Sequence, residues 1–214
     1  MKQSILGILF DVDGTLLNTE EYIFQAFEHA FRHHGLANVP RKTLATLMGT
    51  PLEDVYEKVC PTGDATVLSA THREFQRHNE NLVQVFPGVV EALKTLHDTG
   101  LKLAAVTSRR KQATENMEAL GITKHLDFIL TAEDVQYQKP HPEGILKVMV
   151  ALKLKPDETI MVGDAITDVE AGRAAHVKTI GVTWGFAGQS IQRAHPDYVV
   201  KDVKEMLSVI QGLL

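Results

Sequence analysis

The chain has 214 residues, 44% of them apolar, enough for one large or two modest globular units with a real core. It carries 22 basic and 27 acidic residues, a formal net charge of -5, which argues against nucleic-acid binding as its main business. A lone cysteine, Cys60, excludes an intramolecular disulfide, suits a reducing compartment and reads as a structural thiol.

Residues 5–10, Ile-Leu-Gly-Ile-Leu-Phe, suit a strand buried on both faces, with Gly7 marking close packing. The run is too short for a signal peptide or a membrane span, and no later stretch reaches membrane length. The expectation is a soluble cytoplasmic protein, led into its first strand by residues 1–4. Asp11, Val12, Asp13, Gly14 and Thr15 then stand where that strand ends. Two acids this close repel unless a cation or a shared proton relieves them. Gly14 permits a sharp turn there.

Residues 19–34 read as an amphipathic helix, with Ile23, Ala26, Phe27, Ala30 and Phe31 on one face, Thr19 as N-cap and Gly35 as stop. Shorter helices follow over 40–48 and 52–59. A turn at Cys60-Pro61-Thr62-Gly63 precedes a long helix capped by Asp64 and running to about residue 81. Residues 17–83 therefore read as all-helical, without a strand. His29 and His33, four apart, read as lying on the solvated helix face, because no acid or thiol at matching spacing completes a metal site, and His34, His72 and His78 also read as surface residues.

From Phe86-Pro87-Gly88 onward strand and helix alternate. Helices are expected over 89–98, 111–120, 142–152, 168–175 and 203–213, with Pro142 at the first helical position. Strands are expected over 101–106, 128–130, 159–162, 178–182 and 198–200. That rhythm implies a doubly wound parallel sheet covered on both faces. The organisation is an α/β core of residues 1–16 and 84–214, with a helical domain, 17–83, inserted after the first strand.

The carboxyl ends of these strands collect chemistry. Asp11 and Asp13 follow the first, Thr107 and Ser108 the second, and Gly163 and Asp164 the strand over 159–162, with Asp168 four residues on. Lys139 lies between 130 and the helix at 142. Ligands of open α/β sheets bind at this edge. Carboxylates with room for water suit Mg²⁺, a lysine and a hydroxyl suit phosphate oxygens, and a carboxylate can attack phosphorus or move a proton. Arg109, Arg110 and Lys111 either add positive potential at the site or form a solvated helical turn. Trp184 reads as a core or rim residue.

Asp11-Val12-Asp13-Gly14-Thr15, Thr107-Ser108, Lys139-Pro140 and Gly163-Asp164-Ala165-Ile166-Thr167-Asp168 resemble, in order, the four motifs of the haloacid dehalogenase superfamily, across essentially the whole chain. The resemblance implies a Rossmann-like core with a small helical cap. It implies Asp11 as nucleophile, and Asp13 as the acid that protonates the leaving oxygen and then activates water. It implies Thr107, Ser108 and Lys139 on the phosphoryl group. Mg²⁺ would sit on Asp11, the Asp13 carbonyl and Asp164, steadied by Asp168. An acid at Asp13 points to a phosphate ester or anhydride rather than a halide. Met48-Gly49-Thr50-Pro51-Leu52 and His72-Arg73-Glu74-Phe75 resemble the phosphoglycolate phosphatase and bacterial pyrophosphatase branch. Asn18 stands where many relatives carry Asp.

The expectation is a Mg²⁺-dependent phosphatase acting on a small phosphorylated metabolite, as a monomer or homodimer without nucleic-acid or membrane partners. Two alternatives remain: a mutase of the β-phosphoglucomutase type, against which Ile23 stands where a histidine is needed, and a receiver module that accepts phosphate without turnover.

Overall fold

The computed structural model describes residues 4–214; residues 1–3 of the expected lead-in and core lie outside the described residues. Six parallel strands form the main sheet: β1 (Gly7–Phe10), β4 (Lys102–Val106), β5 (Phe128–Leu130), β6 (Thr159–Gly163), β7 (Lys178–Val182) and β8 (Tyr198–Val200). The spatial order is β5-β4-β1-β6-β7-β8. The chain moves outward from β1 through β4 to β5, then crosses back to β6 on the other side of β1. The carboxyl end of β1 is therefore the topological switch point, where such sheets open a crevice.

Side-chain alternation covers both faces. Ile8, Phe10, Leu103, Ala105, Ile160 and Val162 pack against α5 (Val89–Asp98) and α9 (Val203–Leu213). Leu9, Ala104, Val106 and Met161 pack against α7 (Glu143–Leu152) and α8 (Ile166–Ala174). α6 (Gln112–Ala119) adds Met117 to the first of these layers. A doubly wound α/β sheet is what the sequence implies. A Cβ on Gly7 would collide with the Leu154 side chain, so this strand residue marks close packing.

Between β1 and β4 lie α1 (Glu20–His33), α2 (Arg41–Ala45), α3 (Leu52–Val59) and α4 (Ala65–His78). They share a separate apolar cluster that includes Phe24, Phe27, Phe31, Leu44, Val55 and Tyr56. Asp64 caps α4 by accepting the Thr66 and Val67 N–H groups. Cys60 is buried in the same cluster.

Several expectations change. The stretch 17–83 is not free of strand: β2 (Leu17–Asn18) pairs antiparallel with β3 (Gln84–Val85), where the chain leaves and re-enters the sheet domain. Two-residue strands carry no legible period. Thr19 stands at the N-cap of α1, yet its hydroxyl caps nothing; the Asn18 side chain accepts the Glu20 N–H instead. α8 starts two residues early because the Asp168 carboxylate accepts the Ala165 N–H, placing Asp168 third in the helix. Pro142 precedes α7 rather than opening it. β1 begins at Gly7, and Leu6 is 47% exposed. His72, expected at the surface, is buried, with its Nδ1 3.1 Å from the Tyr56 hydroxyl. Among the described residues no helix is long and apolar enough to cross a membrane.

Candidate active site

A cleft of about 230 Å³ opens at the carboxyl edge of the sheet, beneath α1, α3 and α4. Asp11, Asp13, Ser108 and Asp164 line its floor. Ile23, Phe27, Leu52 and Val55 face them from the helices, with His72 and Arg73 beside them. Asp168, Lys139 and Thr107 are buried just behind.

Asp11 and Lys139 form the centre. Lys139 Nζ donates to Asp11 Oδ1 at 2.5 Å and to the Val106 carbonyl at 3.0 Å, and lies 2.7 Å from Asp168 Oδ1. One oxygen from each of Asp11, Asp164 and Asp168 lies within 4.8 Å of the others. Burial pushes the Asp11 carboxyl up to about 8, against the pull of Lys139 and with the help of Asp168 and Asp13. Burial, then Asp11 and Asp168, hold Asp164 well above the usual carboxylate range. Desolvation would lower Lys139, but Asp11 and Asp168 outweigh it and keep the ammonium above its ordinary value.

Fully ionised, these three buried carboxylates would exceed the one ammonium by two negative charges, which is why burial and mutual repulsion favour the protonated forms of Asp11 and Asp164. A hard divalent cation would offset that charge, and an all-oxygen donor set is the one Mg²⁺ prefers. The backbone holds the Asp164 carboxylate in place. Asp164 Oδ2 accepts the Phe186 N–H at 2.6 Å, and Asp164 Oδ1 lies 3.4 Å from the Thr15 hydroxyl. A Cβ on Gly14 (φ 84°) or Gly185 would collide with the Asp164 carboxylate. Only glycine leaves room there, and Gly14 also takes the left-handed turn at no steric cost. Trp184 packs against the core at the rim, its Nε1–H donating to the Thr15 carbonyl at 3.1 Å.

The hydroxyl pair splits. Thr107 Oγ1 accepts the Arg109 N–H at 3.1 Å. Ser108 Oγ is buried in the cleft wall without a hydrogen-bond partner among the described residues, as is Gln138 Oε1. Buried polar atoms are usually paired, and a water or a substrate oxygen in the cleft would give these two a partner. The sequence pattern does not single out Gln138, and it leaves Arg109 undecided. Arg109 lies 3.3 Å from Asp13, in the cleft. The signal that could have found it is a cation two residues past a strand-end hydroxyl.

A family model described as haloacid dehalogenase-like hydrolase matches residues 8–182. The chain belongs to this family. It is an enzyme, a hydrolase with the haloacid dehalogenase core. Among curated relatives, the pyrophosphatase PpaX of Halalkalibacterium halodurans is 36% identical over 205 residues, covering 95% of both chains. PpaX of Anoxybacillus flavithermus is also 36% identical, over 212 residues and 97% of both. Among solved structures, a predicted phosphatase from Clostridium acetobutylicum superposes with a TM-score of 0.89 at 25% identity, covering 98% of this chain and 100% of that one. A predicted phosphoglycolate phosphatase from Haemophilus somnus, at 22% identity and a TM-score of 0.87, covers 96% and 97% and shares the fold.

Proposed function

We propose that this hydrolase is a Mg²⁺-dependent phosphatase that cleaves a small phosphorylated metabolite through an aspartyl phosphate. The observation that carries the reading is the Asp11 carboxylate: it sits on the cleft floor, held through one oxygen by Lys139, among two further buried acids. Asp11 attacks phosphorus; the bond to the leaving oxygen breaks, and Asp13 gives that oxygen its proton. Asp13 then takes a proton from water, which attacks the same phosphorus; the bond to Asp11 breaks and phosphate leaves. The Ser108 hydroxyl and amide, Thr107 and Lys139 orient the phosphoryl oxygens. Asp11, Asp164 and the Asp13 carbonyl would hold Mg²⁺, with Asp168 steadying the set; the ion supplies charge neutralisation at the phosphoryl group.

Residues 17–83 act as the cap that closes over the substrate and excludes water, with the β2–β3 pair as its hinge. The relatives named PpaX favour pyrophosphate as substrate, and a two-carbon ester such as phosphoglycolate is the other small candidate. The confined cleft is in keeping with both. Ile23 lines the cleft and can move no proton, which speaks against the mutase reading. The lone cysteine supports a place in the reducing cytoplasm.

The test is phosphate release from pyrophosphate, phosphoglycolate and p-nitrophenyl phosphate, with Mg²⁺ or with a chelator, for the wild type and Asp11→Asn. Mg²⁺-dependent release that Asp11→Asn abolishes, without loss of the folded state, supports the reading. Release by Asp11→Asn near the wild-type rate rules out covalent catalysis through Asp11.

A further inference from the structure

The Arg109 guanidinium lines the cleft and is held there by three side chains. Its Nη1 lies 3.3 Å from Asp13 Oδ1, and its Nη2 donates to Asn116 Oδ1 at 2.7 Å and to the Tyr22 hydroxyl at 3.2 Å. Its central carbon lies 5.1 Å from the Tyr22 ring centroid, a cation–π distance. Its backbone is pinned as well: the N–H donates to Thr107 Oγ1 at 3.1 Å, and the carbonyl accepts the Ala132 N–H at 2.9 Å. Tyr22, on α1, is fully buried; Asn116, on α6, is 4% exposed.

We propose that Arg109 is a positioning residue for Asp13, holding its carboxyl group where the proton reaches the leaving oxygen. This rests on the phosphatase reading above. A planar guanidinium presents five N–H donors in fixed directions, and three are committed here to acceptors on three different segments. With both Nη2–H groups and one Nη1–H committed, this arginine has only two N–H groups left for a phosphoryl group. It is well placed to transmit the positions of α1 and α6 to the one carboxylate it touches. When the bond between phosphorus and the leaving oxygen breaks, its electron pair stays on that oxygen and the Asp13 proton moves there. Arg109 touches neither atom.

A positioning role predicts a dependence on the leaving group. Phenyl phosphate and p-nitrophenyl phosphate have nearly the same shape, but phenolate is much the stronger base and needs the proton more. Arg109→Ala is expected to lower kcat on phenyl phosphate by about 10–100-fold, a share of the roughly 10²–10⁴-fold that general acid–base catalysis contributes. On p-nitrophenyl phosphate the loss stays below about 3-fold, because little protonation is required. KM and inhibition by orthophosphate stay near wild type. Arg109→Lys keeps the charge without the fork and recovers only part of the phenyl phosphate rate. Tyr22→Phe removes one hydroxyl from the seat, keeps the ring, and shows a smaller split of the same sign; it serves if Arg109→Ala does not fold.

Equal losses on both esters together with weaker orthophosphate inhibition would make Arg109 a phosphoryl-binding residue and overturn the proposal. Unchanged rates in every variant would overturn it too, while leaving the phosphatase reading intact. Wild-type protein that releases phosphate from neither ester would overturn both.

Discussion

Lys139 Nζ lies 2.5 Å from Asp11 Oδ1, although 128 positions separate the two in the chain, and both are buried. The same ammonium lies 2.7 Å from Asp168, so one cation answers two carboxylates, one past the end of β1 and one in the first turn of α8. Lys139→Met keeps the length and removes the charge. Breaking a buried ion pair by deleting one partner costs about 3–5 kcal/mol, because the other charge stays buried. Asp11, whose carboxyl burial already pushes up to about 8, can avoid part of that cost by taking up a proton. The expected result, by urea denaturation with a chelator present, is a large loss of stability at pH 8 and a smaller one at pH 5. Equal losses at both would mean that Lys139 matters through its packing alone. Activity should be lost at either pH.

The acids of this cluster are legible in the sequence because of where they fall. A continuous apolar run announces a strand buried on both faces, and Asp11, Asp13 and Asp164 each follow such a run, at the edge where ligands bind. The helix boundaries near the site are less so: Asp168 reads as a helix start, and only the hydrogen bond back to Ala165 shows it to be the third residue. The β2–β3 pair leaves no trace, since two residues cannot show an alternation. His72 is misplaced for a different reason. A histidine flanked by Thr71 and Arg73 reads as polar surface, and its burial depends on Phe27 and Tyr56, which arrive from other helices. Arg109 can be noticed in the sequence but not interpreted, because its seat, Tyr22, Asn116 and Asp13, is assembled from three separate segments.

Gly185 is the residue whose smallest change should separate metal binding from folding. A Cβ there would run into the Asp164 carboxylate and the Gly14 carbonyl oxygen. Gly185→Ala should therefore displace Asp164 from the other two acids. For the wild type, a cation bound only by the folded state adds RT ln(1 + [L]/Kd), about 2.7 kcal/mol at 100 Kd, so melting temperature should climb with MgCl₂. The variant should show an apparent Mg²⁺ affinity weaker by about 10-fold or more, equivalent to roughly 1.4 kcal/mol. A thermal melt across a MgCl₂ series, starting from a chelator, reads both. A wild-type Mg²⁺ response in Gly185→Ala would show that Asp164 does not need its present position to hold the ion.

His72 gives the fold an acid-sensitive point outside the carboxylates of the cleft. It is 2% exposed, edge-on to Phe27 at 4.6 Å between ring centroids, and bonded to Tyr56. Burial, with Arg73 and Arg109 nearby, pushes its imidazole down to about 3 from an ordinary 6.5. The sign follows from proton counting. Between pH 6.5 and 3 the unfolded chain binds a proton at His72 that the folded chain refuses, so unfolding gains protons and stability rises with pH. The contribution is complete above 6.5 and is lost progressively as pH falls below it, with a limiting slope of about 1.4 kcal/mol per pH unit. His72→Gln keeps a hydrogen-bonding group beside Tyr56 and removes the titration. It should lower stability somewhat at pH 7.5, through imperfect packing, and flatten the fall between pH 6.5 and 5. Urea denaturation at three pH values in that window checks it. Parallel curves for wild type and variant would mean that His72 takes up its proton in the folded protein too, and that its burial is relieved by local opening of α4.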